Sequence, residues 1–436
     1  MNREIRDTTR ICQLTGEYDL TGWRPRKPWE VEKPQPFAFN RTEFNFKIRG
    51  TDLGVSFEHK NRVYFLFGDT WRNGETREQH EDPWYADDAI AYSTDTRVHG
   101  GLSLRFNDRA PRVRGIKQGT FNVPLDGFSY QGRMFCFLET DSIPKLTLMG
   151  RSVLAVSDDD GYEFAPLLNF SANNFINVSV EQAILDPEQA RIVGWEEGIE
   201  VLWVWGSGRY RASPMYLALI DLAGLLRAIA LRKERPVDLT NINTDGGPVR
   251  FFARTKNRVR WSPNESDCVP LFKACDVGEL SVRRNAIFNR YFLTYNSLTN
   301  DSANARRVIT LRHALQPWGR WSEAITIFDP WWGHGPHHPE GEGYGKFMHI
   351  SWHDQDLDYL RHLDYVQDDA FLEGRRDNEY GDVYGPYQIT RYSTGKANEV
   401  CDLYYTMSTW NPYQSVLMRT RIRARDLFPI LTRPST

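Results

Sequence analysis

The sequence predicts an all-β fold, a single five-bladed β-propeller with a short N-terminal arm. The main observation is a pattern of paired strands that recurs five times along the chain. In each copy, an aromatic-rich apolar run is followed a few tens of residues later by a second run. The first runs are VYFLFGD (63–69), MFCFLETD (134–141), VLWVWGSG (201–208), YFLTYNS (291–297) and LYYTMSTW (403–410). Short strands repeated at such a period are typical of radial repeats, so five copies predict five blades.

The second runs support the same prediction. They are AIAYSTD (89–95), SVLAVSDDD (152–160), MYLALID (215–221), RVITLRH (307–313) and SVLMRTR (415–421). The composition agrees, because aromatic residues make up 13% of the chain and favour strands. The repeat spans most of the 436 residues, so we expect one domain. We place an N-terminal arm at 1–45, packed on the propeller, and the propeller domain itself at 46–436.

Each aromatic run follows a turn and an earlier strand candidate, such as GTDLGVSF in the first copy and LDGFSY in the second. Gly, Asn and charged pairs at these corners are common in hairpins. Each blade is therefore predicted to contain an inner strand, a tight turn, a second strand, a long connection and a third strand. Segments such as YEFAPLLNF and SEAITIFDP are candidates for an outer fourth strand.

Acidic residues recur at equivalent positions of this pattern. Consecutive strands in a blade are antiparallel, so the start of the first strand and the end of the second lie on the same face. These positions hold Asp52 and Asp69 in the first copy and Asp126 with either Glu139 or Asp141 in the second. Glu279 starts the fourth inner strand. Tyr387 is predicted to start the fifth inner strand. We therefore expect acids to converge at one mouth of the propeller.

Charge and hydropathy exclude several classes of partner. The formal net charge is −3 and no long basic run is present, which argues against binding of nucleic acid. The longest apolar stretch is interrupted by Asp221 and Arg227, so we expect no membrane insertion. The N-terminal residues MNREIRDTTR do not resemble a secretory signal. The chain is expected to be cytosolic as written, or exported if the sequence starts after a removed signal.

The sequence indicates neither a metal site nor a cofactor. His334, His337 and His338 are clustered, but their spacing matches no standard zinc pattern and their neighbours are Gly and Pro. A solvated loop is the preferred interpretation. Five cysteines form no CxxC pair, and only Cys268 and Cys275 are close enough in sequence for a loop disulfide, which we do not expect.

Several carboxylates in a pocket lined by Trp and Tyr suit the cleavage of glycosidic bonds. One acid protonates the leaving oxygen, and a second carboxylate activates water or attacks the sugar. Aromatic rings stack on the apolar faces of sugars. The structural alternative is that these acids are turn formers that bind their own backbone. Arg283, on the same strand as Glu279, either lowers the pKa of a neighbouring acid or forms a structural ion pair.

Ordered motifs along the chain resemble a known family. They are GTDLG, FGDTW, WGSGRYR, VGELSVR, PWGRWSE, KFMHISW, YGPY and STWNPYQ, and they extend from about residue 50 to residue 421. Together they resemble the bacterial domain of unknown function numbered 4185, part of which is classed as glycoside hydrolase family 183. The resemblance implies a five-bladed propeller that cleaves α-linked D-arabinofuranose inside mycobacterial arabinogalactan and lipoarabinomannan, as the endo-D-arabinanases of that family do.

The motifs and strand positions together define the predicted site. Asp52, Asp69 and Glu279 are the predicted catalytic acids. The predicted substrate-binding residues are Asp126, Arg209, Tyr210, Arg283, Tyr387, Trp71, Trp410 and Asn411. The expected partner is a furanoside polysaccharide of the arabinan type.

Two functions stay open at this point. The first is an endo-acting furanosidase, and the second is a carbohydrate-binding propeller that uses the same mouth without chemistry. Two acids about 5–10 Å apart across an open cleft favour hydrolysis. Acids that are all paired with arginine or bound in turns favour binding alone. Sialidase-type chemistry is less supported, because the expected cluster of three channel arginines is not evident.

Overall fold

The computed structural model describes residues 3–19, 37–143, 146, 148–255, 258–299, 306–330, 332, 382–410 and 413–428. The strands of this part of the chain form five sheets of four to six strands each. The first strand of every sheet contacts the first strands of both neighbouring sheets, which closes a ring of five. The predicted five-bladed β-propeller is therefore confirmed.

The first 171 residues supply two blades and two further strands. The chain begins with β1 (Arg3–Glu4), β2 (Thr8–Gln13) and the helix α1 (Thr42–Phe46). Blade one consists of β3 (Ile48–His59), β4 (Arg62–Arg72), β5 (Ala89–Ser93) and β6 (Arg105–Phe106), with the helix α2 (Arg77–Glu81) after β4. Blade two consists of β7 (Arg112–Val113), β8 (Pro124–Tyr130), β9 (Arg133–Thr140), β10 (Arg151–Ser157) and β11 (Glu163–Ser171).

Blade three carries two helices in its connections. Its strands and helices are β12 (Asn177–Ile184), α3 (Pro187–Val193), β13 (Glu200–Ser207), β14 (Tyr216–Asp221), α4 (Leu222–Ala230), β16 (Val249–Thr255) and β17 (Arg258–Ser262). Between α4 and β16, the short strand β15 (Val237–Asp238) pairs with β11 at the outer edge of blade two.

Blades four and five complete the ring. Blade four consists of β18 (Leu280–Asn285), β19 (Arg290–Leu298), β20 (Arg307–Ala314) and β21 (Ile325–Phe328). Blade five consists of β22 (Asp382–Gln388), β23 (Thr394–Lys396), β24 (Val400–Trp410) and β25 (Gln414–Arg423), and is followed by the helix α5 (Ala424–Leu427). The N-terminal strands form the outer edges here, because β1 pairs with β21 and β2 pairs with β25.

The ten apolar runs found in the sequence coincide with the second and third strands of the blades. Each second strand is antiparallel to the third strand of its own blade. The hydrophobic core consists of five clusters, and each lies between two adjacent blades. Trp203 and Trp205, for example, are fully buried in the cluster between blades three and four. Both faces of these strands are covered, which explains why their sequences are continuously apolar rather than alternating.

Candidate active site

One face of the ring, which we call the mouth, carries the ends of the second strands of all five blades. Because first and second strands are antiparallel, the first strands begin on the same face. Asp52 lies in the first strand of blade one, Asp69 near the end of its second strand, and Glu279 directly before β18. The three predicted catalytic acids therefore share this face.

Irregular pairing in β3 positions Asp52. The register of β3 against β4 shifts on both sides of Asp52, and Leu53 has a φ of 62°, in the left-handed region. Bulges of this kind redirect side chains next to active sites. The Leu53 N–H donates to Ser408 Oγ of blade five at 2.7 Å. Asp52 Oδ2 accepts a hydrogen bond from the Tyr384 hydroxyl, also in blade five, at 3.0 Å.

Asp69 has a strained backbone that its neighbours hold in place. Its φ of 29° lies outside the region that non-glycine residues normally adopt. A Cβ on the preceding Gly68 would lie 2.8 Å from Val123 Cγ1, so this position needs glycine. The Tyr413 hydroxyl donates to the carbonyl oxygen of Asp69 at 3.1 Å, and the backbone N–H of Phe121 donates to its carboxylate. Such strain is common at functional sites.

Burial raises the pKa of both aspartates. Asp52 is 8% exposed and Asp69 is 5% exposed. Burial, followed by the charges of Asp69 and Glu279, raises the pKa of Asp52 well above its usual range, although the Tyr384 hydrogen bond opposes this shift. Burial raises the pKa of Asp69 to about 7, against the effect of the Phe121 N–H. Burial therefore favours the protonated form of both carboxyl groups.

Glu279 differs from Asp52 and Asp69 because it is paired with Arg211. This arginine lies in the loop between β13 and β14. Arg211 Nε donates to the two carboxylate oxygens of Glu279 at 3.0 and 3.1 Å, and Nη2 donates to Oε1 at 2.8 Å. Burial raises the pKa of Glu279, but the charge and hydrogen bonds of Arg211, with the charge of Arg307, outweigh it and hold the pKa below its usual value. Glu279 is therefore ionised at neutral pH.

Aromatic contacts connect the two kinds of acid. The Arg211 guanidinium lies 4.7 Å from the centre of the Tyr210 ring and 4.8 Å from the centre of the Tyr384 ring. Tyr384 in turn donates to Asp52, and the charge of Glu279 acts on Asp52. A protonated carboxyl group and an ionised one thus belong to one connected group of side chains from blades one, three, four and five.

Three further acids lie within electrostatic reach of Asp69. Burial raises the pKa values of Asp87 and Asp88 well above their usual range, and the charge of Asp69 raises them further. Burial also raises the pKa of Glu139 to about 8. Ser142 Oγ donates to Glu139 Oε1 at 2.5 Å. Blades one and two therefore place a group of buried, protonated acids beside Asp69.

Asp126 and Arg283 form a buried ion pair. Arg283 Nη2 donates to Asp126 Oδ1 at 2.9 Å, and Nη1 donates to Oδ2 at 3.0 Å. Arg283 also donates to the backbone carbonyl oxygens of Ser56 and Val180, and Ser179 Oγ donates to Asp126. These contacts join the first strands of blades one to four. Of the two roles considered for Arg283, the structure shows the structural ion pair. Substrate binding by this pair stays a prediction.

Tyr387 differs from its predicted position. The prediction that Tyr387 starts the first strand of blade five is wrong, because β22 starts at Asp382 and Tyr387 is its sixth residue. The register shifts between Tyr384 and Tyr387, where Gly385 has a φ of 60°. Tyr387 is 3% exposed, and burial, followed by the charges of Glu279 and Asp52, raises its pKa well above the usual range. It therefore lies beside these two acids.

The other predicted substrate-binding residues differ in exposure. Arg209 and Tyr210 are exposed in the loop that carries Arg211, and Tyr210 contacts the Arg211 guanidinium. Trp71 is half-buried near the end of β4, with its ring centre 3.8 Å from that of His80. The contacts of these residues do not test whether they bind substrate, so that role stays a prediction.

Some predictions fall outside the described residues. The described residues do not include Asn411, the side chain of Trp410, or the three histidines His334, His337 and His338. Within the described ranges, no group of three or more His, Cys, Asp or Glu side chains is arranged to hold a metal ion. Within the same ranges, no helix has the length and hydropathy needed to cross a membrane.

Three residues of the site were not predicted from the sequence. Arg211 lies in the WGSGRYR motif, in which Arg209 is the predicted substrate-binding arginine. Tyr384 is the first residue of the YGPY motif, and Tyr413 lies in the STWNPYQ motif after the second strand of blade five. Their presence in or beside the motifs was the available signal. The sequence could not show which of the neighbouring side chains reaches the acids.

The fold and the site define a five-bladed propeller with paired carboxyl groups of opposite ionisation at its mouth. Such a pair can donate a proton to a leaving oxygen and activate a nucleophile in the same event. The chain belongs to the family described as "Domain of unknown function (DUF4185)", whose family model matches residues 37–419. The resemblance to this family seen in the motifs is thereby confirmed.

Comparisons of structures find chains of similar extent at low identity. A structure from Bacteroides ovatus is 12% identical, with 95% of this chain and 97% of that chain covered and a TM-score of 0.48. An alpha-L-arabinanase from Penicillium chrysogenum complexed with arabinobiose is 11% identical, with 96% and 98% covered and a TM-score of 0.37. Similarities this low do not indicate an activity for this chain. A comparison with curated proteins gave no match.

Proposed function

We propose that the protein is a glycoside hydrolase that cleaves a furanoside polysaccharide within its chain. The observation that carries the proposal is the different environment of the two acids at the mouth: Asp52 is buried and accepts from a tyrosine hydroxyl, whereas Glu279 is paired with Arg211. Burial raises the pKa of Asp52, and Arg211 lowers that of Glu279. Glycosidases require one protonated and one ionised carboxyl group beside the scissile bond. The proposed substrate has the α-D-arabinofuranosyl linkages of mycobacterial arabinan, which is supported by the motifs that resemble the endo-D-arabinanases.

The proposed roles follow from the ionisation states. Asp52 donates its proton to the glycosidic oxygen as the bond from that oxygen to the anomeric carbon breaks. Glu279 either takes a proton from the attacking water or attacks the anomeric carbon itself. Asp69 raises the pKa of Asp52 by its charge and so keeps the proton on Asp52 until substrate is bound. Arg211 keeps Glu279 ionised.

One observation favours the alternative, a carbohydrate-binding propeller without chemistry. Glu279 accepts three hydrogen bonds from Arg211, and Arg211 packs between two tyrosine rings. In this alternative, Glu279 and Arg211 form a fixed structural pair at the mouth. Glu279 is then unavailable as a base or nucleophile.

Incubation with purified mycobacterial arabinogalactan distinguishes the two functions, with the released fragments measured by size. An endo-hydrolase releases intermediate fragments, and Asp52→Asn and Glu279→Gln should each abolish that release. Asp158→Asn is the matched control, because this acid is 72% exposed and pairs with Arg133 at the turn between the third and fourth strands, away from the mouth. Polymer binding without any fragment release would favour the alternative.

A further inference from the structure

Exposed apolar side chains cluster at the mouth where blades one and two meet. Three loops supply them: the loop after β4, the loop before β8 and the loop after β9. We call this surface the blade 1–2 rim. Its members, with their exposed fractions, are Trp84 (63%), Phe121 (51%), Ile143 (48%), Leu146 (61%) and Leu148 (52%). Large apolar side chains exposed on neighbouring loops are typical of binding sites.

Hydrogen bonds join the three loops into one surface. The backbone N–H of Gly119 donates to the Pro83 carbonyl oxygen at 3.0 Å, which connects the first two loops. Ser142 connects the second and third loops: its Oγ donates to the Phe121 carbonyl oxygen at 3.2 Å and its N–H donates to Asn122 Oδ1 at 3.0 Å. These hydrogen bonds therefore hold the described parts of the three loops next to one another.

Phe121 connects the rim to one of the candidate catalytic acids, because its backbone N–H donates to the Asp69 carboxylate. Phe121 and the preceding Thr120 have φ values of 62° and 60°, a left-handed pair that is uncommon for residues other than glycine. The Asn122 side chain, which is 1% exposed, holds this turn by donating to the Gly119 carbonyl oxygen. The turn thus holds a residue with an exposed aromatic ring at the position whose backbone contacts Asp69.

We propose that the blade 1–2 rim is a sugar-binding subsite, with the Phe121 ring as the platform on which one sugar of the polysaccharide stacks. This inference rests on the proposed function, because the substrate chain continues from the acids onto the rim. The C–H face of a neutral sugar ring matches an aromatic face bordered by aliphatic side chains. The five side chains of the rim carry no charge, which suits an uncharged sugar chain as the occupant.

The test uses Phe121→Ala, Phe121→Trp and the control Leu315→Ala. Phe121→Ala removes the ring but keeps the Cβ and the N–H that binds Asp69. Leu315 is 61% exposed and follows the third strand of blade four, at the face opposite the mouth. Binding to soluble mycobacterial arabinan is measured in an Asp52→Asn background, so that hydrolysis does not interfere, and KM and kcat on the same polymer are measured without that change.

We expect Phe121→Ala to weaken binding and to raise KM by about three- to tenfold with little change in kcat, as loss of one stacking contact predicts. Phe121→Trp should restore affinity, and Leu315→Ala should match the parent. Parent-like affinity in Phe121→Ala, or equal losses in Phe121→Ala and Leu315→Ala, would overturn the subsite. Phe121-dependent binding without hydrolysis would support the subsite and refute the proposed activity. Failure of the parent to bind arabinan would overturn the subsite as proposed.

Discussion

Replacing Arg211 by Gln should move the acid limb of the pH–rate profile to higher pH. Arg211 holds the pKa of Glu279 below its usual value of 4.5, against burial, which raises it. A nearby opposite charge typically lowers a carboxyl pKa by about 1–3 units. Its removal should therefore raise the pKa of Glu279 by a similar amount. At a pH below both pKa values, kcat/KM of the variant should be lower than that of the parent by about tenfold for each unit of this shift.

The same substitution should reverse the pH dependence that Glu279 gives to stability. In the parent, the lowered pKa means that Glu279 stabilises the fold above its unfolded pKa, and this stabilisation is lost as the pH falls through its folded pKa. In Arg211→Gln, burial is opposed only by the weaker effects of Arg307 and of the Glu279 backbone hydrogen bond, so the free energy of unfolding should rise as the pH falls from 7 towards 4. At pH 7 the loss should be about 3–5 kcal/mol, since a carboxylate that is only 13% exposed loses its partner.

Arg209→Gln provides the matched control, because Arg209 is two residues away and exposed. Its loss should leave both the acid limb and the melting curve near those of the parent. The assay is kcat/KM on arabinan between pH 4 and pH 8, with melting temperatures in the same buffers. An acid limb that does not move in Arg211→Gln would show that Glu279 is not the ionised group of the reaction.

The remaining predictions concern the aspartates, the central ion pair and a buried acid. Asp52→Asn and Asp69→Asn should each lower turnover on arabinan by about 10²–10⁴-fold with melting temperatures near that of the parent; parent-like turnover would remove that residue from the mechanism. Arg283→Met should lower the free energy of unfolding by about 3–5 kcal/mol in denaturant titrations, whereas the surface change Arg133→Gln should cost under about 1 kcal/mol; equal effects would contradict a central role for the buried pair. Burial raises the folded pKa of Glu139 to about 8, so its ionisation weakens the fold as the pH rises from about 4 to 8, and Glu139→Gln should reduce the fall in melting temperature over that range.

The blades were predictable from sequence because each second and third strand is buried on both faces. Burial on both faces makes a strand continuously apolar, and such runs stand out from the polar loops. The edge strands β1 and β2 were not predicted as parts of blades. Their sequences, RE and TTRICQ, contain no apolar run, and their strand conformation depends on pairing with β21 and β25.

Strand order placed Asp52, Asp69 and Glu279 on one face, but it could not identify their partners. Arg211 reaches Glu279 from an irregular loop in which it has a φ of 53°, a backbone conformation that its sequence does not signal. Tyr384 reaches Asp52 from the part of β22 that precedes the bulge at Gly385, and the repeat pattern did not include that part. Contacts between blades depend on such local distortions, which strand periodicity does not encode.

The pairing of β2 with β25 has a consequence for how the chain folds. Thr8 and Thr420 are direct neighbours, although 412 residues separate them. β2 must therefore wait until β25 has been made before the outer edge of blade five can form. Contacts between distant parts of a chain slow folding, and exposed edges in the meantime favour aggregation. Blades one to three can pack before β25 is made, whereas the closure of blade five cannot, and a bulky group attached close to β2 should interfere with that closure first.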